Sequence, residues 1–237
     1  MAPVSVIKTI FFDAAGTLFH LPQSVGWHYQ DVASRFGCKL SEDALSSAFF
    51  TVWKQMPMRP ASRQPRPDDD KGWWCSLVER VLDQCGVSRE QLPRLEYFEQ
   101  LYTEFARPGV WKLFPEVQEV LAGLAKRYRL GIISNFDGRL RPILDSLALA
   151  DSFDPLIISS EVGTDKPDGW IFQQALTLAK ISAAEALHVG DDPRSDWQGA
   201  EAAGLHTFHL HRPENSLRDL TTTLEKLEAA PPQIISP

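Results

Sequence analysis

The stretch Val6-Ile7-Lys8-Thr9-Ile10-Phe11-Phe12-Asp13-Ala14-Ala15-Gly16-Thr17 decides how the rest of the chain is read. From Val6 to Phe12 it is apolar, rich in β-branched and aromatic residues, with Lys8 and Thr9 as its only polar members. Such a run reads as a short strand buried on both faces. It ends at an acid, and the small residues after Asp13 indicate a turn. Asp13 therefore either caps that turn or presents a carboxylate at the carboxyl end of a buried strand, where α/β sheets place their ligand sites.

Beyond residue 108 strands alternate regularly with helices. Helices are expected near 116–126, 139–147, 169–179 and 195–203, and strands near 130–134, 155–159, 186–189 and 206–210. This spacing indicates βαβ units and a doubly wound parallel sheet, the α/β class with a Rossmann-like core. Residues 21–107 change to helical periodicity, with helices expected at 27–36, 42–56, 73–85 and 89–105. Ser88 and Gln91 have the capping-box spacing for the last of these, and Ser182 with Glu185 repeats the pattern on a short turn. Residues 57–71, rich in Pro, Arg and Asp, read as a mobile loop. The chain thus divides into a core of residues 1–20 and 108–237 and an all-helical insert of residues 21–107. The Pro-containing tail beyond residue 229 is expected to fray.

Composition narrows the function. The 237 residues are 43% hydrophobic, enough to bury a substantial core. A net charge of -7 argues against a basic footprint for nucleic acid or an anionic membrane. An anionic substrate stays open, because a bound metal reverses the local field. Cys38, Cys75 and Cys85 form no CxxC pair and suit reduced thiols in a cytoplasmic protein. No run approaches the roughly 20 apolar residues of a membrane span. His206, His209 and His211 read as a strand-edge group, since residues 206 and 209 point to opposite faces. No P-loop, GxGxxG or Cys–His pairing is present.

Four polar groups follow the expected strands in order. They are Asp13, the Ser134-Asn135 pair, Lys166 within Asp165-Lys166-Pro167-Asp168, and Gly190-Asp191-Asp192-Pro193-Arg194-Ser195-Asp196. Each alone has an ordinary explanation as turn chemistry or surface charge. In this order and placement the sequence resembles the haloacid dehalogenase-like hydrolase superfamily, in its helical-cap subgroup, over most of its length. The resemblance implies that Asp13 is the nucleophile that takes up a phosphoryl group. Ser134 and the Asn135 amide would hold the phosphoryl oxygens, and Lys166 would balance charge between nucleophile and phosphate. Mg²⁺ would sit on Asp13, the Ala15 carbonyl and Asp191. Asp196 would orient metal-bound water or Lys166, with Asp192 further out. The substrate class is then a small phosphorylated molecule.

The chemistry suits those residue types. Phosphoryl transfer asks for an in-line nucleophile and positive charge around the equatorial oxygens. Mg²⁺ takes hard oxygen ligands and keeps several waters. A carboxylate nucleophile is ionised at neutral pH and needs no base to activate it.

Ala15 departs from the family pattern, whose phosphatases usually carry a second Asp there to protonate the leaving group. General acid catalysis is typically worth about 10²–10⁴-fold, so fast hydrolysis of alkyl phosphates is in question. Three readings stay open. One is a slow or specialised phosphatase. Another is a carbon–phosphorus hydrolase resembling phosphonoacetaldehyde hydrolases, with Lys54 as the Schiff-base lysine. The third is a non-enzymatic binding protein. Lys54, set against an exposed helix lysine beside a buried Trp53, and His28 are the substrate-facing candidates of the helical insert.

Overall fold

The computed structural model describes residues 7–229. In chain order the elements are β1 (Thr9–Phe12), β2 (Phe19–His20), α1 (Val25–Ser34), α2 (Glu42–Gln55), α3 (Lys71–Gln84), α4 (Arg94–Glu104) and β3 (Lys112–Leu113). They continue with α5 (Val117–Leu124), β4 (Arg129–Ser134), α6 (Leu140–Ser146), β5 (Leu156–Ile158), α7 (Ser159–Val162), α8 (Gly169–Ala179) and β6 (Ala186–Gly190). A π-helical turn, Pro193–Gln198, leads into α9 (Gly199–Ala202), followed by β7 (His206–His209) and α10 (Leu220–Ala229). Val6 and the tail beyond residue 229 lie outside the described residues.

Strands β5, β4, β1, β6 and β7 form one parallel sheet in that order. The unbroken apolar run at β1 has a direct cause. Ile10 and Phe12 pack into the hydrophobic cluster on one face, and Phe11 into the cluster on the other. Because successive strand residues face opposite ways, a central strand with both faces covered needs apolar residues throughout. Ile132 and Ile133 of β4 divide between the same two clusters. The chain moves from β1 to β4 and β5 on one side, then to β6 and β7 on the other. The connections therefore part at the carboxyl end of β1, which opens a crevice there.

The helical insert buries a cluster of its own, with Tyr29, Val32, Leu45, Leu77, Val81, Leu82 and Tyr97 at its centre. Its first two helices start on serine caps, Ser24 accepting from Trp27 N and Ser41 from Ala44 N. The chain enters and leaves the insert through a small antiparallel ribbon in which Phe19 pairs with Leu113 and His20 with Lys112. This ribbon was not foreseen, because two-residue strands leave no periodic signal.

Two expectations are corrected. Helix α4 starts at Arg94, not at residue 89. Ser88 and Gln91 do make both capping-box bonds, at 2.9 and 3.3 Å, but they close a separate turn. Pro93 disfavours helical backbone at Leu92 and so keeps that turn out of the helix. The Ser182–Glu185 box does form, on a short 3-10 turn as expected.

The segment read as a mobile loop is strapped to the sheet domain. Ser62 N donates to Gly163 O at 2.9 Å, and Arg66 N to Ser160 O at 2.8 Å. Arg59 and Arg66 each bridge Asp70 and Asp165. Asp69 accepts from Gly138 N at 2.7 Å. Asp69 and Asp70 are thus structural, with Asp70 only 3% exposed. The strap lies so close that a Cβ on Gly163 would meet Gln64 O at 1.9 Å.

Among the described residues no helix is long and apolar enough to cross a membrane.

Candidate active site

The four polar groups singled out in the sequence converge at the crevice beyond β1. Asp13 follows the last residue of that strand, and its N–H still donates to Val189 O at 2.8 Å, so its carboxylate is carried by the sheet itself. Lys166, 3% exposed, donates from Nζ to Asp13 Oδ1 at 2.7 Å and to Asp196 Oδ1 at 2.5 Å. Asp196 Oδ1 also contacts His188 Nε2 at 2.9 Å, and its Oδ2 accepts from Asp192 N at 3.0 Å. Asp191 accepts from Thr17 Oγ1 at 3.1 Å. Gly16 stands at φ +91°, and a Cβ there would lie 2.5 Å from Asp191 Oδ2. Only glycine lets the turn close on that carboxylate.

Ser134 and Asn135, at the end of β4, line the same cavity as Asp13 and Lys166. The Asn135 side chain is already committed. Its oxygen accepts from Lys166 N at 2.6 Å and its amide donates to Lys166 O at 2.9 Å. It clamps the lysine's backbone, where the sequence reading had its amide on the phosphoryl oxygens. His188 is a partner the sequence reading missed. Its signal was a lone polar side chain inside the buried strand β6, where all five residues are buried.

The charges are strongly coupled. Burial pushes the Asp13 carboxyl up to about 6; Lys166 opposes this, while Asp196 and Asp191 add to it. Burial would lower Lys166, but Asp13 and Asp196 outweigh it and hold the ammonium above its ordinary value. Burial likewise raises Asp196, yet Lys166 and His188 bring it below the usual carboxylate range. Asp191 is raised, chiefly by burial, and His188 is lowered by burial.

A cation fits this arrangement. Carboxylate oxygens of Asp13, Asp191 and Asp196 lie within 4.8 Å of one another. Both Asp196 oxygens are occupied by the bonds above, while Lys166 and Thr17 reach Oδ1 of Asp13 and Oδ1 of Asp191. The bridge between Ala15 and Phe19 is closed through the Ala14 and Phe19 carbonyls, leaving the Ala15 carbonyl outside it. Hard oxygens held this way suit Mg²⁺.

Above this floor the cavity, about 400 Å³, is walled by the helical insert. Tyr29, Phe49, Phe50, Trp53, Trp74 and Phe105 contribute to it, together with Trp111 and Phe136 from the core. Neither substrate-facing candidate of the insert lines it. Lys54 is exposed on α2 and does not line the cavity, while its neighbour Trp53, expected to be buried, is 43% exposed and does line it. His28 is 2% exposed and packs against Trp27 and Phe105 at 5.0 and 5.2 Å between ring centroids. Among the described residues neither of its ring nitrogens has a hydrogen-bond partner, and burial lowers its pKa. The histidines of the last strand show ordinary surface contacts, with His209 stacked on Trp197 at 4.3 Å.

Comparison with known proteins follows the geometry. The haloacid dehalogenase-like hydrolase model matches residues 7–204. Bovine haloacid dehalogenase-like hydrolase domain-containing protein 3 is 34% identical over 216 residues, covering 88% of this chain and 83% of its own. Among solved structures, the putative HAD-hydrolase YfnB from Bacillus subtilis bound to magnesium superposes with a TM-score of 0.69 at 17% identity, covering 93% of this chain and 99% of its own. A 2-haloacid dehalogenase from Pseudomonas syringae does so with a TM-score of 0.62 at 23% identity and the same coverage. At those identities the structural likeness speaks for the fold. The family match over most of the chain, together with the bovine relative, places this protein in the haloacid dehalogenase-like hydrolase family.

Proposed function

We propose that this chain is a Mg²⁺-dependent phosphatase acting on a small phosphorylated molecule through an aspartyl phosphate on Asp13. The observation that carries the reading is Lys166, whose ammonium is held between Asp13 and Asp196 at the floor of the cavity. A buried lysine fixed beside an ionisable nucleophile is a preorganised counter-charge for a transferring phosphoryl group. The solved relative from Bacillus subtilis that binds magnesium supports the metal assignment.

In this reading an Asp13 carboxylate oxygen forms a bond to phosphorus as the bond to the leaving oxygen breaks. Water then attacks the phosphorus of the aspartyl phosphate, releasing inorganic phosphate and restoring Asp13. Lys166 offsets charge on the phosphoryl oxygens while it holds Asp13 in place, and the Ser134 hydroxyl donates to one of those oxygens. Asp196, backed by His188, positions Lys166. Asn135 fixes the backbone of the same lysine. Asp13, Asp191 and the Ala15 carbonyl would hold Mg²⁺, which when bound neutralises phosphate charge as a Lewis acid. The helical insert acts as a cap that excludes water from the reacting centre.

No carboxyl stands at Ala15, so leaving groups that need no proton are favoured. The carbon–phosphorus hydrolase alternative loses its candidate, because a Schiff-base lysine must be desolvated and reach the reacting carbon, and Lys54 is exposed and outside the cavity wall. The test is a screen of phosphate esters and phosphonates with and without Mg²⁺, repeated with Asp13→Asn. Turnover should require the metal and fall by at least about 10³-fold in the variant, the scale of losing a covalent nucleophile. Undiminished turnover in Asp13→Asn overturns the mechanism.

A further inference from the structure

We infer that the organic part of the substrate is an aromatic or similarly broad apolar group carrying no second anion, an inference that rests on the phosphatase reading. At about 400 Å³ the cavity falls in the range of roughly 300–1,000 Å³ that holds small molecules. Its two halves differ in kind. Ser134, Asn135, Lys166 and the carboxylates lie on the floor, where the phosphate is bound. The space beyond is lined by Phe49, Phe50, Trp53, Trp74, Phe105 and Trp111.

Phe50 and Trp53, three residues apart on α2, are 58% and 43% exposed, high for large apolar side chains. Grouped at the cavity, they form the kind of apolar patch that marks a ligand groove. Phe49 stacks on Trp53 at 5.8 Å between ring centroids, and Trp53 meets Trp73 and Trp74 at 5.4 and 5.7 Å. The wall is thus a packed aromatic surface able to take another ring against it.

The charges argue in the same direction. Two cations line the cavity. Lys166 is spoken for by Asp13 and Asp196. Arg139 forks onto the fully buried Asp137 at 2.8 and 2.7 Å, donates to Tyr102 O at 3.2 Å, and lies 3.7 Å above the Tyr102 ring. No cation among the described lining residues is left for a second phosphate or a carboxylate, and the floor carboxylates repel one. Sugar hydroxyls would lose their water partners against aromatic rings and gain no others there.

One buried polar atom of the lining has no hydrogen-bond partner among the described residues, the indole N–H of Trp74. Being uncharged, it supplies no cation for a second anion. Ala15 supports the inference independently, because an aryl oxide leaves without a proton donor.

The experiment separates ring recognition from leaving-group chemistry. Initial rates with Mg²⁺ are compared for 2-naphthylmethyl phosphate and ethyl phosphate, both alkoxide leaving groups, and for glycerol phosphate. Binding of 2-naphthylmethylphosphonate and ethylphosphonate is followed in parallel by tryptophan fluorescence, which needs no turnover. The naphthylmethyl ester should exceed the ethyl and glycerol esters in kcat/KM by at least roughly tenfold, the scale of burying one aromatic group. Trp53→Ala should cut that ratio several-fold. Comparable turnover of all three esters overturns the inference and leaves the phosphatase standing. Selective binding of the naphthyl phosphonate without hydrolysis of any ester supports the inference and removes the phosphatase. Absence of both selective binding and selective turnover overturns it.

Discussion

The floor and the wall of one cavity are built on opposite principles. On the floor Lys166 has two carboxylate partners and a clamp on its backbone, and Asp196 has three donors around its two oxygens. Lys166 lies in the loop before α8 and Asp196 in the π-helical turn after β6, and the lysine ties Asp196 to Asp13, just past the end of β1. On the wall the contacts are ring against ring, and the indole N–H of Trp74 has no hydrogen-bond partner among the described residues. In the proposed function the floor is preorganised for phosphoryl transfer, where directional bonds determine the rate. The wall offers area without direction, which suits recognition by shape and apolar character. On that proposal one chain separates chemistry from recognition, giving the first to the sheet domain and the second to the helices.

The largest effect should come from the floor. Lys166→Met removes the cation that Asp13 and Asp196 share and leaves two buried carboxylates facing each other. Turnover at saturating Mg²⁺ should fall by about 10²–10³-fold, the range for losing one electrostatic stabiliser. A drop of only a few-fold would show that the floor is a structural ion-pair network, with no contrast to the wall.

A smaller effect tests the junction of the two regions. Ala15→Asp places a carboxyl beside the nucleophile, and alkyl phosphates should gain about one to two powers of ten in turnover, below the full general-acid range because the surroundings are not tuned. Aryl phosphates should gain less. An equal gain for both, in a folded variant that binds Mg²⁺, would show that Ala15 is not the missing acid position.

The strap couples the regions mechanically. Arg66→Ala leaves Asp70 buried with Arg59 as its remaining partner. The loss should be about 3 kcal/mol or less in urea unfolding, below the cost of stripping a buried charge of every partner. An unchanged midpoint would return residues 57–70 to the status of a loose loop.

The smallest effect is expected at Lys54. Lys54→Ala should alter phosphatase turnover by no more than roughly twofold, as for an exposed surface substitution. Borohydride with phosphonoacetaldehyde should give no adduct there. An adduct would bring Lys54 into the chemistry and overturn the assignment of the wall to recognition alone.

Much of the floor was legible in the chain itself. A strand buried on both faces needs an unbroken apolar run, so Asp13 after Phe12 and Gly190-Asp191 after β6 mark where strands stop and ligand chemistry begins. These signals are local, an unbroken apolar run that stops at an acid, and they survive in one dimension. The wall and the strap were not legible, because they depend on which turn of a helix faces which neighbour. Lys54 and Trp53 are adjacent in sequence, yet Trp53 lines the cavity and Lys54 does not. His28 and Tyr29 are adjacent too, and again only the second lines it. A helix turns about 100° per residue, so periodicity shows that one face is buried without showing against what. The Arg59 and Arg66 bridges span about a hundred residues to Asp165, and a Pro- and Arg-rich stretch looks mobile until that partner is brought to it. The sequence alone determined the class of fold and the order of the acidic and basic strand ends. The tertiary structure decided which of the remaining side chains meet them, because such contacts depend on helix orientation and long-range ion pairing, which composition and spacing do not encode.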